Sequence, residues 1–437
     1  MKYALIIIDG AADEALASLG GKTPLEAATL PAMNRVAGSG ILGRVRTCPA
    51  ALPCGSDVAI MSVLGYDPTL RYTGRAPLEA AAQSIPLAET DWVFRANTVT
   101  ITDGIMKDNT ADNIAQADAE RVMALLNEKL AGPDLRFHSG VGYRNLLVVR
   151  RTMRVETTPP HDILDQPIAA HLPRGESAPF LIDLFEKCRE LLARSTPHPA
   201  ANAVWFWGQG RKPRLEPFRV RFGVSAAAIT GVDLVRGLAL LAGWDVVAVP
   251  GATAYFDTNY RGKGEYAIRA LADHDLVCVH VEAPDEAGHK GDPQEKIRAL
   301  ENTDRFIVGP LHETLRRGAS GWRLLLLPDH PTPCVLRTHT HDPVPFAIDG
   351  SDVTRGGIGA VGDGSDARRN GIDAAGGGDG AGSGRAFCEN EARRTGLFVE
   401  RGHELMELFL RGNRETRGKT REGGGGRRSE RRLRKRR

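Results

Sequence analysis

Tyr3-Ala4-Leu5-Ile6-Ile7-Ile8-Asp9 is a run of six apolar residues closed by a carboxylate. A continuous apolar run of this length reads as a strand buried on both faces, the kind found in parallel sheets. Two later stretches repeat it. Leu276-Val-Cys-Val-His-Val281 leads to Glu282 and Asp285, and Arg323-Leu-Leu-Leu-Leu-Pro328 leads to Asp329 and His330. In a parallel α/β sheet ligands bind outside the carboxyl ends of the strands. The three acid-bearing ends are therefore expected to meet. Between the first strand and the next, Leu25 to Ser39 carries a helical pattern, with Pro24 suited to a first turn.

The region from about Tyr72 to Phe222 differs. Its alternating runs are shorter, as in Trp92 to Ile101 and Tyr143 to Val149, and Arg, His and Pro are frequent. This predicts a smaller α/β domain at 73–222, inserted into a discontinuous larger one at 1–72 and 223–410. Within the latter, 350–384 is more than a third glycine, a composition that cannot bury enough apolar surface to order itself. That stretch is expected to be disordered, as is a Gly/Arg tail at 411–437. Gly402 to Leu410 reads as a short amphipathic helix, and no internal repeat is found.

Composition narrows the class. The chain has 437 residues, 42% hydrophobic and 25% charged, which excludes a wholly disordered chain, a collagen and a coiled coil. No stretch approaches the roughly 18 uninterrupted apolar residues of a membrane helix. The N-terminal apolar run is too short for a signal peptide, so a cytoplasmic protein without a membrane partner is expected. The six cysteines are scattered with no Cys-x-x-Cys pair, which argues against a disulfide framework and a zinc knuckle. The net charge of +3 belongs to the tail, where 13 Lys and Arg face 3 Glu from Arg411 onward. Such a tail attracts nucleic acid electrostatically, but a run of this kind is ordinarily a solvated terminus, and no nucleic-acid partner is expected. There is no phosphate-binding Gly-x-x-x-x-Gly-Lys-Ser/Thr loop.

The chemistry lies in acids and histidines at separated places. Asp9 ends the first strand. Asp285 and His289 stand four apart, so one helical turn puts both on the same side. Asp329 and His330 end the last strong strand, and His339 follows. A single Asp after a strand is ordinarily a cap or turn residue. Six such residues at strand ends read instead as mixed oxygen and nitrogen ligands, suited to manganese, zinc or a similar divalent ion. Six are more than one tetrahedral site needs, so two ions are expected, as in enzymes that hold both attacking and leaving oxygens of a phosphoryl group. Ser56, in Pro53-Cys-Gly-Ser-Asp-Val-Ala59, precedes a helical pattern from Val58 to Leu64. A helix N-terminus favours an anion. Alone, Ser56 reads as an N-cap; beside two metal ions it reads as a nucleophile. Arg95, Arg144, Arg211, Arg214 and Lys263 are candidate phosphate or carboxylate binders.

At these residues the chain resembles the cofactor-independent (2,3-bisphosphoglycerate-independent) phosphoglycerate mutases of the archaeal type, within the alkaline phosphatase superfamily. The matching stretches include Gly20-Gly-Lys-Thr-Pro-Leu-Glu-Ala-Ala28, Gly55-Ser-Asp-Val-Ala59, Leu64-Gly-Tyr-Asp-Pro68 and Tyr72-Thr-Gly-Arg75. Others are Phe94-Arg-Ala-Asn97, Val281-Glu-Ala-Pro-Asp-Glu-Ala-Gly-His289, Pro328-Asp-His-Pro-Thr-Pro333 and His339 to Pro345. The likeness runs from Met1 to about Ile348 and resumes weakly from Phe387 to Leu410. It implies an alkaline-phosphatase-like core, a mostly parallel sheet with helices on both faces, plus the inserted domain. It implies interconversion of 3-phosphoglycerate and 2-phosphoglycerate in glycolysis and gluconeogenesis, through a phosphoserine at Ser56 and without 2,3-bisphosphoglycerate. One ion would take Asp285, His289 and His339, and the other Asp9, Asp329, His330 and the Ser56 oxygen. Manganese is the expected ion, with magnesium, zinc or cobalt as substitutes. The inserted domain would bind glycerate, using Arg95, Arg144, Arg211, Arg214 and, just beyond it, Lys263, with Asp108, His161 or Asp162 moving protons. The Gly-rich stretch, the basic tail and Met106-Lys-Asp-Asn-Thr-Ala-Asp-Asn113 depart from the family pattern. The last bears on a branch with a proposed homoserine kinase role, which the chain resembles around Ser56 to Asp108. A phosphotransferase on a small alcohol and a metal-dependent phosphatase are the alternatives.

Overall fold

The computed structural model describes residues 1–195, 198–318, 321–355, 357–358 and 384–411. A mixed sheet of eight strands forms the larger layer. Its order is Phe398–Val399, Ile41–Val45, Val344–Gly350, Trp322–Leu327, Lys2–Ile8, Leu276–Val281, Ala226–Ile229 and Asp245–Val246. Lys2–Ile8 lies near the centre and runs parallel to both neighbours. Val344–Gly350 is antiparallel to the strands on each side of it. Alternate side chains of the central strands point to opposite faces. Ala4, Ile6 and Ile8 join Met33, Val36 and Leu311 on one face, while Leu5 and Ile7 join Ile60, Leu238 and Phe409 on the other. Both faces are thus covered by helices, which is why the sequence runs are continuously apolar.

Register decides what the sheet presents. Ile8 pairs with Val281, and Ile7 pairs with Leu327. The chain therefore leaves all three strands at one edge, carrying Asp9, Glu282 and Asp329.

A second, wholly antiparallel sheet has five strands, all between residues 92 and 210. The long strand Trp92–Thr102 pairs with Ile105–Asp108, Arg144–Val149 and Ala203–Gly210, and Leu135–Val141 pairs with Arg144–Val149. Helices Gln116–Leu130 and Ala178–Arg194 close one face, with Phe94, Leu126, Leu184, Phe185 and Trp205 in that core. The opposite face receives Ala76 and Ala80 of helix Ala76–Ala82. That helix also meets helix Asp233–Leu241 of the larger layer. The approach is close enough that a Cβ on Gly237 would stand 1.8 Å from the Leu78 carbonyl oxygen. Phe218 lies in the core of the larger sheet, with Leu215 and Phe222 packed against it. The chain has thus returned to the larger layer before Gly223.

Local differences from the sequence pattern have simple causes. Leu25 to Ser39 is two helices, Pro24–Ala27 and Pro31–Ser39. Pro31 lacks an N–H and disfavours helical backbone in the residue before it, so one helix ends and another begins. Thr23 and Glu26 form a capping box that fixes the first start. Gly350 ends a strand, and Val353–Thr354 pairs with Gly357–Ile358, so the beginning of the Gly-rich stretch is structured. Residues 359–383 and 412–437, where the remainder of the expected disorder falls, lie outside the described residues. Beyond them Phe387 is buried, and the chain ends its described course in helix Leu405–Arg411. Among the described residues no helix is long and apolar enough to cross a membrane.

Candidate active site

The strand ends bring the predicted acids and histidines together. Asp329 Oδ1 accepts hydrogen bonds from the Gly10 N–H at 3.1 Å and the His330 N–H at 2.9 Å. Gly10 has φ +59°, and a Cβ there would stand 2.5 Å from Asp285 Oδ1 and 2.6 Å from Thr332 Oγ1. Only glycine allows Asp9 and Asp285 this proximity. Asp285 and His289 share helix Ala283–Lys290, one turn apart. Ser56 is the first residue of helix Ser56–Val63, and its Oγ lies 3.2 Å from His330 Nε2.

Three imidazoles face inward by the same atom. His289 Nδ1 lies 3.0 Å from the Arg337 carbonyl, His339 Nδ1 3.2 Å from the Cys54 carbonyl, and His330 Nδ1 3.3 Å from Thr332 Oγ1. Each outer contact fixes the ring and leaves Nε2 to the interior. His289 Nε2 is 3.0 Å from His339 Nε2 and 3.2 Å from Asp285 Oδ2, and His339 Nε2 is 3.5 Å from Asp285 Oδ1. His330 Nε2 is 3.5 Å from Asp9 Oδ1 and 3.4 Å from Asp329 Oδ2. Thr332 donates its hydroxyl proton to Asp285.

These residues fit divalent cations. Ligand atoms about 2.1 Å from a common ion stand about 3–3.5 Å from one another, the spacing seen here. Asp9 Oδ1, Asp329 Oδ2 and Glu282 Oε2 are buried with no hydrogen-bond partner among the described residues. Carboxylates gathered this way need a shared proton or a cation between them. Without a cation, burial and then the charges of Asp329 and Glu282 hold the Asp9 carboxyl well above the usual range. Burial likewise lifts Glu282 to about 7. Burial also opposes ionisation of Asp285, but hydrogen bonds from His289 and His339 outweigh it and hold its carboxyl low. The bond to Asp285 raises His289 to about 9. Three groups of ligand atoms each lie within 4.8 Å of one another: Asp285, His330 and His339; Asp9, Asp329 and His330; Asp9, His280 and Glu282.

The basic candidates are scattered by comparison. Arg95 is buried, 3.1 Å from Glu79 and over the Trp207 ring at 4.5 Å, and burial brings it down to about 10. Arg144 is exposed beside the Tyr143 ring and its charge reaches Glu286 of helix Ala283–Lys290. Arg211 lies over Trp92 at 5.9 Å, and Arg214 pairs with Glu89 at 2.6 Å on the surface. Lys263 belongs to the larger layer, not the smaller sheet. It is fully buried, donates to the His280 carbonyl at 3.1 Å, and is lowered to about 8 by that burial. Asp108 spends its carboxylate on its own loop, accepting from Thr110 and Asp112. His161 sits edge-on to Trp207 at 5.1 Å, lowered by burial and by nearby Arg95 and Arg75, while Asp162 is exposed.

Four neighbours were not singled out as ligands or binders from sequence. Asp57 accepts from the Tyr72 hydroxyl and lies beside Arg75. His280 Nε2 lies 2.9 Å from Asp9 Oδ2. Arg75 and Tyr72 stood within a quoted motif, which was the available signal. His280, inside a buried strand, offered none.

An α/β sheet whose strand ends gather buried carboxylates and imidazoles around a serine at a helix N-terminus has the equipment of a metal-dependent phosphoryl-transfer enzyme. Comparisons with known proteins sharpen the class. The family model for 2,3-bisphosphoglycerate-independent phosphoglycerate mutase matches residues 37–197. The chain is 48% identical over 364 residues to the protein of that name from Methanothrix thermoacetophila, covering 81% of this chain and 92% of that one. It is 41% identical over 426 residues to the probable one of Geobacter sulfurreducens, covering 94% and 100%. Accordingly, the chain belongs to the 2,3-bisphosphoglycerate-independent phosphoglycerate mutase family. Among solved structures, the PH0037 protein from Pyrococcus horikoshii matches with TM-score 0.72 and 27% identity over 94% of this chain and 96% of that one. The cofactor-independent phosphoglycerate mutase from Thermoplasma acidophilum shares the fold, with TM-score 0.60 and 24% identity over 94% and 99%.

Proposed function

We propose that the chain interconverts 3-phosphoglycerate and 2-phosphoglycerate, without 2,3-bisphosphoglycerate, through a phosphoserine on Ser56. The observation that carries this reading is Ser56 Oγ at a helix start, 3.2 Å from His330 Nε2, where two groups of buried carboxylates and imidazoles meet. Relatives bearing the mutase name at 41% to 48% identity support it. Asp285, His289 and His339 would hold one divalent ion, and Asp9, Asp329, His330 and Ser56 Oγ the other. Manganese is the ion we expect, and the pair, when bound, would supply Lewis-acid stabilisation of the attacking and leaving oxygens.

The chain's own residues do the rest. Ser56 loses its hydroxyl proton, and its Oγ attacks the phosphorus of 3-phosphoglycerate. The bond from phosphorus to the 3-oxygen breaks, that oxygen takes a proton, and phosphoserine and glycerate remain. The free N–H groups of the helix that begins at Ser56 favour the transferred anion. Glycerate turns, its 2-hydroxyl gives up a proton and attacks the same phosphorus, the bond to Ser56 Oγ breaks, and Oγ takes up a proton to restore the hydroxyl. Arg75, whose charge couples to Asp57 and Glu282, and Arg144, whose charge reaches Glu286, are the arginines we assign to the phosphoglycerate anion, with Arg95 behind them. Of the proton-carrying candidates His161 is the best placed, because it lies by Arg75 and Arg95 while Asp108 is committed to its loop. Packing of the smaller sheet over the strand ends would exclude water, without which phosphoserine hydrolyses.

The test is phosphorus NMR of purified protein with manganese and 3-phosphoglycerate, without bisphosphoglycerate or nucleotide. The 2-phosphoglycerate signal is expected, and is lost in Ser56→Ala. Free phosphate alone would mark a phosphatase. No reaction until homoserine and a nucleoside triphosphate are added would mark a kinase.

A further inference from the structure

We infer that His280 is a positioning residue rather than a metal ligand: with Thr230 it clamps one oxygen of Asp9, so that the other faces the metal site. The inference rests on the reading of Asp9 as a ligand and deepens it. His280 is 1% exposed, on strand Leu276–Val281. Val279 pairs with Ile229 on the neighbouring strand, so Thr230 stands opposite His280, one strand further from Asp9. His280 Nε2 is 2.9 Å from Asp9 Oδ2, and His280 Nδ1 is 3.2 Å from Thr230 Oγ1.

Hydrogen-bond roles along this line follow from its two ends. With a cation holding Asp9 ionised, its carboxylate only accepts, so Nε2 must carry the proton it shares with Asp9. Neutral imidazole then has a bare Nδ1, which needs a donor. Thr230 Oγ1 already accepts the Val232 N–H at 3.0 Å, leaving its own proton for Nδ1. The line therefore runs Thr230 O–H to Nδ1, and Nε2–H to Asp9 Oδ2. Asp9 Oδ1, the unpartnered oxygen 3.5 Å from His330 Nε2, is left for the site.

The orientation is the reverse of the other three histidines. His289, His330 and His339 spend Nδ1 outward and turn Nε2 inward. His280 spends Nε2 on a carboxylate. A third ion among Asp9, His280 and Glu282 would have to displace the 2.9 Å bond. It would also sit near the buried ammonium of Lys263, which holds the His280 carbonyl at 3.1 Å.

Two measurements on the full chain test this. The first is nitrogen-15 NMR of histidine-labelled protein, metal-free and with zinc, the His280 signals being those absent in His280→Gln. The expected result is the Nε2–H tautomer with zinc bound, where the cation keeps Asp9 ionised. An Nδ1–H tautomer in that state, or an Nε2 shift on zinc binding like that of the ligand histidines, would overturn the inference. The second is manganese titration calorimetry. Thr230→Val should bind about 10- to 100-fold more weakly, Thr230→Ser should restore affinity, and stoichiometry should stay at two ions. Thr230→Val binding like the parent, or a third ion lost in His280→Gln, would refute the clamp. A parent chain that binds no divalent ion would instead sink the metal reading itself, an outcome distinct from these.

Discussion

Lys296→Met should cost about 3–5 kcal/mol of stability at neutral pH, the usual cost of stranding one partner of a buried ion pair. Lys296 and Asp13 have fully buried side chains and stand 2.8 Å apart. The ammonium also donates to the Thr332 carbonyl at 2.9 Å and the Ala12 carbonyl at 3.4 Å. Removing it leaves Asp13 with backbone donors only, from Glu14 at 2.8 Å and Cys334 at 3.1 Å. At about 2–4 °C per kcal/mol for a unit of 150–250 residues, Tm should fall by about 6–20 °C. Asp13→Leu should cost a similar amount. The double variant should cost less than the sum, because it strands neither charge, with a coupling of about 2 kcal/mol or more. Thermal and urea unfolding of the four proteins completes the cycle. A single variant losing under about 1 kcal/mol, or strict additivity, would mean that the pair behaves like a surface ion pair and that the reasoning is wrong.

Other expectations are quicker to state. Gly10→Ala should reduce metal affinity and turnover at least about tenfold while the protein still folds, since its Cβ collides with Asp285; parent-like calorimetry would contradict this. Burial lifts Glu389 to about 7, against hydrogen bonds from Thr23 and the Asp13 N–H. The unfolded chain then holds fewer protons than the native one between about pH 4.5 and 7, so stability falls across that window and levels above it. Glu389→Gln should remove about 1–3 kcal/mol of this slope, as read from urea unfolding at pH 5 and pH 7.5. Adding manganese at 100 times its Kd should stabilise the chelated protein by about 2.7 kcal/mol per site; an unchanged Tm would count against cation binding.

Much of the site could be read from the sequence because strand-end chemistry leaves a local mark. Asp9, Asp329 and His330 each follow an apolar run, and Asp285 and His289 announce themselves by helical spacing. Their convergence required only that the strands be parallel and in register. The partners that orient them left no such mark. The backbone carbonyls of Cys54 and Arg337 that fix His339 and His289 have no sequence signature, and Thr230 and His280 meet only through strand pairing. The substrate side was least legible. An apolar run leads into Arg211 and Arg214, yet one lies over Trp92 and the other pairs with Glu89. Arg75 stands in a motif of the resemblance, but its proximity to Asp57, eighteen residues away, is visible only in the fold. Pro31 split a predicted single helix, because an amphipathic pattern continues across a break that the backbone does not.

The central claim is that the phosphoryl group passes through Ser56. It is tested most directly by mixing manganese-loaded protein with phosphorus-labelled 3-phosphoglycerate, quenching in acid within the first turnover, and mapping labelled peptides by mass spectrometry. The account predicts one labelled site, Ser56, whose label disappears as 2-phosphoglycerate forms. Turnover with no label on the protein, or with label on another residue, would contradict it.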